Sequence, residues 1–375
     1  MAHYLTGYQD DDEYPQHIDP WLQRILDDPS GHYVYANHRE WDTGHRNFDP
    51  QLHDLVNTSI AQNGTDVNLI YGSAGLTVNA HGEPLHERRL LPNANAIDWW
   101  NSFFYVGGEF AHSLGGDWDW SNKDIEFYGK WSCLINRPHE HRVQLLRDIH
   151  SLDNTFNGML SWAPQSAVWQ QFLNMRESNE IMNWFRPILH RLNPDPLQPG
   201  MPEYGGINQH EYPRYYLNYC VDIVSESNWA ANFYTEKTIK NLVIGKPFII
   251  CGAPNANRYL KQMGFELFEE VFDYSVEPTC AGTEREAYGF YKQLLQPLFD
   301  IELADLTHIY NTVWRDKCVH NQRLYKEIVM NDAHIPDVLL PHFTAPHNPD
   351  GPYRVQYDVA VMRNHFENIS WWKNL

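Results

Sequence analysis

The amino-acid sequence predicts an α/β protein of two domains with a helical C-terminal segment. Three observations predict it. The chain has 375 residues, more than one core usually organises. Residues 130–280 alternate short apolar runs with amphipathic stretches, the pattern of a parallel sheet with crossover helices. Beyond about residue 284 only helical spacing remains. The boundaries are placed at 1–125, 126–300 and 301–375, the last segment packing back on the domains.

Taken in order, residues 1–60 are acidic and broken, and "DDDE" (Asp10–Glu13) reads as a solvated arm. "DVNLIYGSAGLTV" (Asp66–Val78) reads as a short buried strand, a glycine turn and more extended chain. Its "GSAG" fits either an ordinary turn or a phosphate cradle. "AIDWWNSFFYVGGEFAHSLGGDWDW" (Ala96–Trp120) is aromatic and glycine-rich, a helix or strand followed by loops facing a cleft. "KWSCLINR" (Lys130–Arg137) is an apolar strand with a polar end. "HEHRVQLLRDIHSL" (His139–Leu152) places Val143, Leu145, Leu146 and Ile149 at helical spacing. "NGMLSWA" gives a turn and a strand. Leu192–Pro213, with five prolines and three glycines, is a long excursion. "RYYLNYCVDIVSES" (Arg214–Ser227) is again a strand with polar residues at its carboxyl end. "TEKTIKNLVIG" is a helix with apolar Ile239, Leu242 and Val243, and Gly245 stands where a C-cap glycine belongs. "KPFIICG" is a buried strand, "NANRYLKQMG" a helix and "FELF" a further strand. "REAYGFYKQLLQPLFDI" and "LTHIYNTVWRDKCVHNQRLYKEIVMN" are helices.

Composition narrows the function classes. Hydrophobic residues make up 42% and aromatics 14% of the chain; its 14 Trp and 22 Tyr suit either large cores or sugar and base pockets. No apolar run approaches ~18 residues, so no membrane span is expected. The opening "MAHYLTGYQDDDEYPQ" lacks a basic n-region and an apolar h-region, so no signal peptide is expected either. Cys133, Cys220, Cys251, Cys280 and Cys318 are scattered without a C-x-x-C, which suits reduced thiols in a cytoplasm. Net charge is −20; residues 1–200 hold 26 acids against 13 bases, and residues 201–375 hold 22 against 15. Such a surface repels polyanions, which disfavours nucleic acid as a partner unless a local basic groove overrides the mean.

The chemistry-bearing residues cluster at predicted strand ends. Ligands of such sheets sit outside the carboxyl ends of the strands, near helix N-termini. Thr235, Glu236 and Lys237 begin the helix that follows the strand Leu217–Val224. A lysine there suits a diphosphate, aided by free backbone N–H groups and the helix dipole, and a glutamate suits sugar or ribose hydroxyls. An ordinary first-turn glutamate with a solvated lysine fits the same spacing. His139 and His141 are two apart and expected to diverge on a helix, and no H-E-x-x-H is present, so no metal site is expected.

"SESNWAANFYTEKTIKNLVIGKPFIICG" (Ser225–Gly252) resembles the donor-binding motif of α1,3-fucosyltransferases, where a Glu-Asn-Ser element and an aromatic precede Thr-Glu-Lys, a helix and a buried strand. It is still more similar to fucosyltransferase-like proteins of phages, giant viruses and bacteria. Those carry Phe-x-Thr-Glu-Lys, Pro-Phe-Ile, a glycine turn and then Leu-Gly-Phe; this chain has "FYTEK", "PFI", "CG" and "MGFELF" in that order. "LINRPHEHRVQLL" (Leu134–Leu146) resembles their Asn-Arg…His-Arg segment, with Asn136 and Arg142 at the spacing of an Asn and a diphosphate-contacting Arg. The resemblance covers roughly residues 130–270. It departs at "FDYSVEPTCAGTERE" (Phe272–Glu286), where the viral set often has Asp-Glu-Ser-Tyr-Asp, and it does not extend to residues 1–125.

The resemblance implies two Rossmann-like domains in the GT-B arrangement. It implies a glycosyltransferase that moves a sugar from a nucleotide-diphosphate sugar to an acceptor hydroxyl, inverting and independent of metal. No cofactor beyond that donor substrate is implied. The donor-binding set carried over is Asn136, Arg137, Arg142, Ser225, Glu226, Tyr234, Thr235, Glu236 and Lys237. The general base, normally a carboxylate in inverting transfer, has four candidates in the first domain: Asp98, Glu109, Asp117 and Asp119. The acceptor is open among a glycan, a nucleoside-sized molecule and a protein. Two rival readings stand beside it: a viral DNA-modifying glycosyltransferase acting on a hydroxylated base, and an inactive relative that binds a glycan or a partner.

Overall fold

The structure is a computed structural model in which residues 3–6, 27–28, 32–37, 58, 61–64, 66–71, 95–98, 124–135, 138–153, 155–161, 171–184, 217–226, 234–278 and 288–330 are described. These residues hold two parallel four-stranded sheets and mixed helix, an α/β content. In the first sheet β1 (His3–Thr6), β2 (His32–Asn37), β3 (Asp66–Tyr71) and β4 (Asn95–Asp98) lie side by side in chain order. β1 and β2 fall in the stretch that reads as broken arm. Four to six residues with interspersed His and Asn give too little alternation to signal a strand, and the pairing His3↔Tyr33 to Thr6↔Ala36 supplies what the local pattern lacks.

The second sheet is built from β5 (Gly129–Leu134), β6 (Gly158–Ser161), β7 (Tyr219–Ser225) and β8 (Phe248–Cys251) in the spatial order β6-β5-β7-β8. All seven residues of β7 are buried, as expected of a central parallel strand covered on both faces. The helices α1 (Glu140–Leu152) and α3 (Glu236–Ile244) follow β5 and β7; between β6 and β7 lies α2 (Met175–Trp184). The step β5–α1–β6 runs one way across the sheet and β7–α3–β8 runs the other. Right-handed crossovers in opposite directions lay their helices on opposite faces. After α4 (Ala256–Gln262) come α5 (Tyr291–Asp300), α6 (Leu303–Ile309), a π turn at Tyr310–Trp314 and α7 (Arg315–Met330). α1 packs with α5, and α3 with α7.

Local sequence explains the joints. Val143, Leu145, Leu146 and Ile149 of α1 are buried, each contributing about 1.5–3 kcal/mol. The Asp153 carboxylate then accepts from the Trp131 indole at 2.8 Å and the Asn157 N–H at 2.8 Å, turning the chain into β6. A Cβ on Gly158 would lie 2.1 Å from the Trp131 ring, so this position needs glycine. α3 ends at Gly245, in the left-handed region at φ 69°, and a Cβ there would meet the Gln322 side chain of α7 at 2.6 Å. "FELF" is not a strand. Phe265, Leu267 and Phe268 are buried, but they pack against the C-terminal helices, and the Glu266 backbone pairs with the Asn321 amide in place of a neighbouring strand. On β8 the side-chain amide of Asn257 accepts from Ile250 N–H and donates to Ile250 C=O, both at 2.9 Å, and is itself held by the buried Glu277 at 2.7 Å. Leu306, Tyr310, Trp314, Cys318 and Tyr325 join the core of this second unit, so the helices of 301–330 pack back on the sheet.

Candidate functional site

In the second sheet β5, the first strand in sequence, sits inside, with β6 on one side and β7 on the other. The direction of winding reverses between β5 and β7, and such a reversal leaves a crevice at the carboxyl ends of the two strands. The described strands of the first sheet run in simple order and have no reversal. The crevice is flanked by the starts of α1 and α3 and by the end of β7. Residues from both resemblance motifs therefore converge there: Arg142 from α1, Ser225 and Glu226 from the end of β7, and Thr235 and Lys237 from the start of α3.

The convergence is bonded. Arg142 Nη2 donates to the Ser225 carbonyl at 3.1 Å, and His141 Nε2 lies 2.8 Å from the Glu226 carbonyl. The Glu226 carboxylate accepts from Thr235 N–H at 3.0 Å, Thr235 Oγ1 at 2.7 Å and Thr238 Oγ1 at 2.5 Å. Lys237 Nζ donates to Thr235 Oγ1 at 2.9 Å and stands 4.0 Å from the Glu226 carboxylate. Arg142 and Glu226 are buried, while the Lys237 side chain is one-fifth exposed.

The two helix starts differ in what they leave open. At α3, where free backbone N–H groups are expected, four of them are engaged within the chain. Thr235 N–H goes to Glu226, Lys237 N–H to the Thr235 hydroxyl, and the N–H groups of Thr238 and Ile239 to the Thr235 carbonyl. The cause is the capping threonine, whose own hydroxyl is oriented by a buried carboxylate. α1 begins after His139, which is extended and makes no side-chain cap bond. His139 lies outside the helix, so the His139 and His141 rings stack at 5.7 Å with 20° between planes and do not diverge. Burial is the main cause that lowers the His141 pKa to about 3; Arg142 and His139 add to it, and the Glu226 carbonyl opposes it. The ring is neutral at physiological pH.

Behind the crevice lies a polar cluster that the apolar strand patterns conceal. Ser132 and Asp222 are cross-strand partners on β5 and β7. Lys246 Nζ donates to Ser132 Oγ at 3.0 Å, Ser132 Oγ donates to Asp222 Oδ1 at 3.2 Å, and Asn241 Nδ2 donates to Asp222 Oδ2 at 2.7 Å. Burial lowers the Lys246 pKa to about 7, with Lys240 adding repulsion and Asp222 and Cys220 opposing. An aspartate inside "YCVDIV" and a serine inside "KWSCLI" were the signal available in the sequence.

Tyr234 is fully buried and its hydroxyl donates to the Ala256 carbonyl at 2.6 Å, so it braces α4. Glu236 is the first residue of α3; its side chain lies outside the described residues, as do Asn136 and Arg137. Of the base candidates, Asp98 is the last residue of β4, also a strand carboxyl end, and Glu109, Asp117 and Asp119 lie outside the described residues. Among the described residues no group of three or more His, Cys, Asp or Glu is arranged to hold a metal ion, and no helix is long and apolar enough to cross a membrane. Comparison of the chain with protein-family models, curated proteins and solved structures gave no match.

Proposed function

We propose that the protein is a glycosyltransferase of GT-B type that moves a sugar from a nucleotide-diphosphate sugar to an acceptor hydroxyl, with inversion and without a metal. One observation carries the reading. Arg142 and Lys237, from two motifs far apart in sequence, stand at adjoining strand ends on either side of the sheet reversal and are linked through Ser225, Glu226 and Thr235. In such a transfer the bond from the anomeric carbon to the diphosphate breaks while the acceptor oxygen attacks. Negative charge gathers on the leaving diphosphate. A planar guanidinium and an ammonium held in place stabilise that charge most where it develops. Arg142 is oriented by its bond to the Ser225 carbonyl, and Lys237 by Thr235 and Glu226. The acceptor proton goes to a carboxylate of the N-terminal region, with Asp98, Glu109, Asp117 and Asp119 as candidates.

The test is a thermal-shift panel of GDP, UDP and their common sugar conjugates, followed by a hydrolysis and transfer assay on any hit. A specific ligand raises the apparent melting temperature by mass action. The reading predicts that a nucleotide-diphosphate sugar does so, and that Arg142→Ala and Lys237→Ala reduce both the shift and turnover. A panel in which no nucleotide shifts the wild-type protein, at millimolar concentration, would sink it.

A further inference from the structure

We propose that His141 and Ser225 form a hydroxyl-binding subsite in the crevice between β5 and β7, which takes adjacent ring hydroxyls of the ligand, from ribose or from the transferred sugar. The inference rests on the nucleotide-sugar reading and says which part of that ligand goes where.

The argument starts from two buried atoms. His141 Nδ1 and Ser225 Oγ are closed to solvent, and neither has a hydrogen-bond partner. Both residues are 1% exposed. Buried polar atoms are rarely left this way, because the loss of hydration is not recovered. Nearby groups are already taken: Glu226 accepts from three donors, and Thr235 bonds to Glu226 and Lys237. Both atoms belong to residues tied to the end of β7. Ser225 closes β7, and the His141 ring is anchored to the next carbonyl, that of Glu226.

The tautomer follows from the anchor. A carbonyl oxygen only accepts, so His141 Nε2 carries the hydrogen in the 2.8 Å contact. Burial keeps the ring neutral, so Nδ1 holds a lone pair, on the side of the ring turned from that carbonyl. The subsite thus combines one obligate acceptor with one hydroxyl that both donates and accepts. An ionised phosphate oxygen, which only accepts, is rejected by the Nδ1 lone pair. A carbohydrate hydroxyl donates to Nδ1, and its neighbour exchanges a hydrogen bond with Ser225 Oγ. The diphosphate is left to Arg142 and Lys237. Reaching the two atoms requires the crevice to open around the ligand.

The experiment is calorimetric titration of the full-length wild type, His141→Gln and Ser225→Ala with GDP, UDP, their 2′-deoxy forms, GDP-fucose and UDP-glucose. Ser225→Ala removes an unpaired atom and is expected to fold normally; His141→Gln keeps a donor for the Glu226 carbonyl and removes the Nδ1 acceptor. If the ribose supplies the hydroxyls, wild type binds the nucleoside diphosphate about tenfold tighter than its 2′-deoxy form, and the variants lose that preference. If the sugar supplies them, it is the preference for the nucleotide sugar over the bare diphosphate that the variants lose, again about tenfold. Variants that keep wild-type preferences, even with a lowered melting temperature, overturn the subsite and leave the nucleotide-sugar reading standing. A wild type that binds none of the six overturns both.

Discussion

The two helix starts that flank the crevice, His139–Arg142 on α1 and Thr235–Lys237 on α3, have the same topological position and opposite construction. The α3 start is capped and braced: Thr235 caps it, Glu226 holds Thr235 and Thr238, and Lys237 is tethered in front. The α1 start has no side-chain cap and carries two histidines and an arginine. A helix N-terminus attracts anions through its unpaired N–H groups and its dipole, and capping uses up the first of these. The contrast teaches that a sequence motif at a helix start does not reveal whether that start receives a ligand or supports a neighbour. On this view α1 supplies the open end, and α3 supplies a rigid mount for one ammonium.

The comparison breaks first at Glu226. Glu226→Ala strips the acceptor from Thr235 and Thr238 inside a buried cluster and is expected to cost about 3–5 kcal/mol of stability. Glu226→Gln, which keeps one acceptor oxygen, is expected to cost less. Urea unfolding checks both, and a loss below about 1 kcal/mol for the alanine variant would show that the α3 start is not sealed in this way.

Next comes Arg142. If α1 is the anion-receiving end, Arg142→Ala lowers kcat/KM for the nucleotide-sugar donor by about 2–4 kcal/mol, and Lys237→Ala by less, because Lys237 already shares its charge with Glu226. Steady-state kinetics on both variants, with melting temperatures alongside, decides it; equal losses would erase the asymmetry.

The third test uses pH. His141 is lowered to about 3 in the folded chain, so between pH 6.5 and 3 the unfolded chain binds a proton that the folded chain refuses. Stability from this group is full above pH 6.5 and falls on acidification, by about 1.4 kcal/mol per unit. Asp148, raised to about 6, and Glu277, raised to about 7, act in the opposite sense, since folding favours their protonated forms. The clean measurement is therefore the difference between wild type and His141→Gln across pH 4 to 7. That difference should shrink as pH falls; one that stays constant means that the ring is not held neutral.

The smallest effect belongs to the cap. Thr235→Ala should cost about 1 kcal/mol of stability, with Thr235→Ser near wild type. In the donor assay Thr235→Ala should lower turnover through the loosened Lys237, and addition of no other residue's loss is required. Unchanged turnover would mean that the Thr235–Lys237 contact does not position the ammonium.

Most of the second sheet is legible in the sequence because punctuation and pattern agree there. Thr235 and Gly245 bracket α3, and the helical spacing of Val143, Leu145, Leu146 and Ile149 gives α1. "FELF" reads as a strand because short apolar runs look alike whether they pair or merely pack, and only the distant Asn321 decides. The site is half legible. Residue types mark Arg142 and Lys237, but their meeting depends on the strand order β6-β5-β7-β8, which no local spacing encodes. Glu226 could not be told from a ligand-facing acid, since its role is set by where a crossover places Thr235. The role of His141 has no local signal, because its bond to the Glu226 carbonyl joins the start of α1 to the end of the neighbouring strand β7.

Asn257 has a consequence of a different kind. A strand's outward-facing peptide groups are a template on which a foreign chain can polymerise, each added strand presenting the same template again. At Ile250 the template is answered by a side-chain amide, which matches one peptide unit in shape and in hydrogen bonding and offers no strand beyond itself. Glu277 accepts from that amide and fixes its orientation. A strand added along β8 would have to displace Asn257 at that rung, so a single side chain stands against ladder growth there.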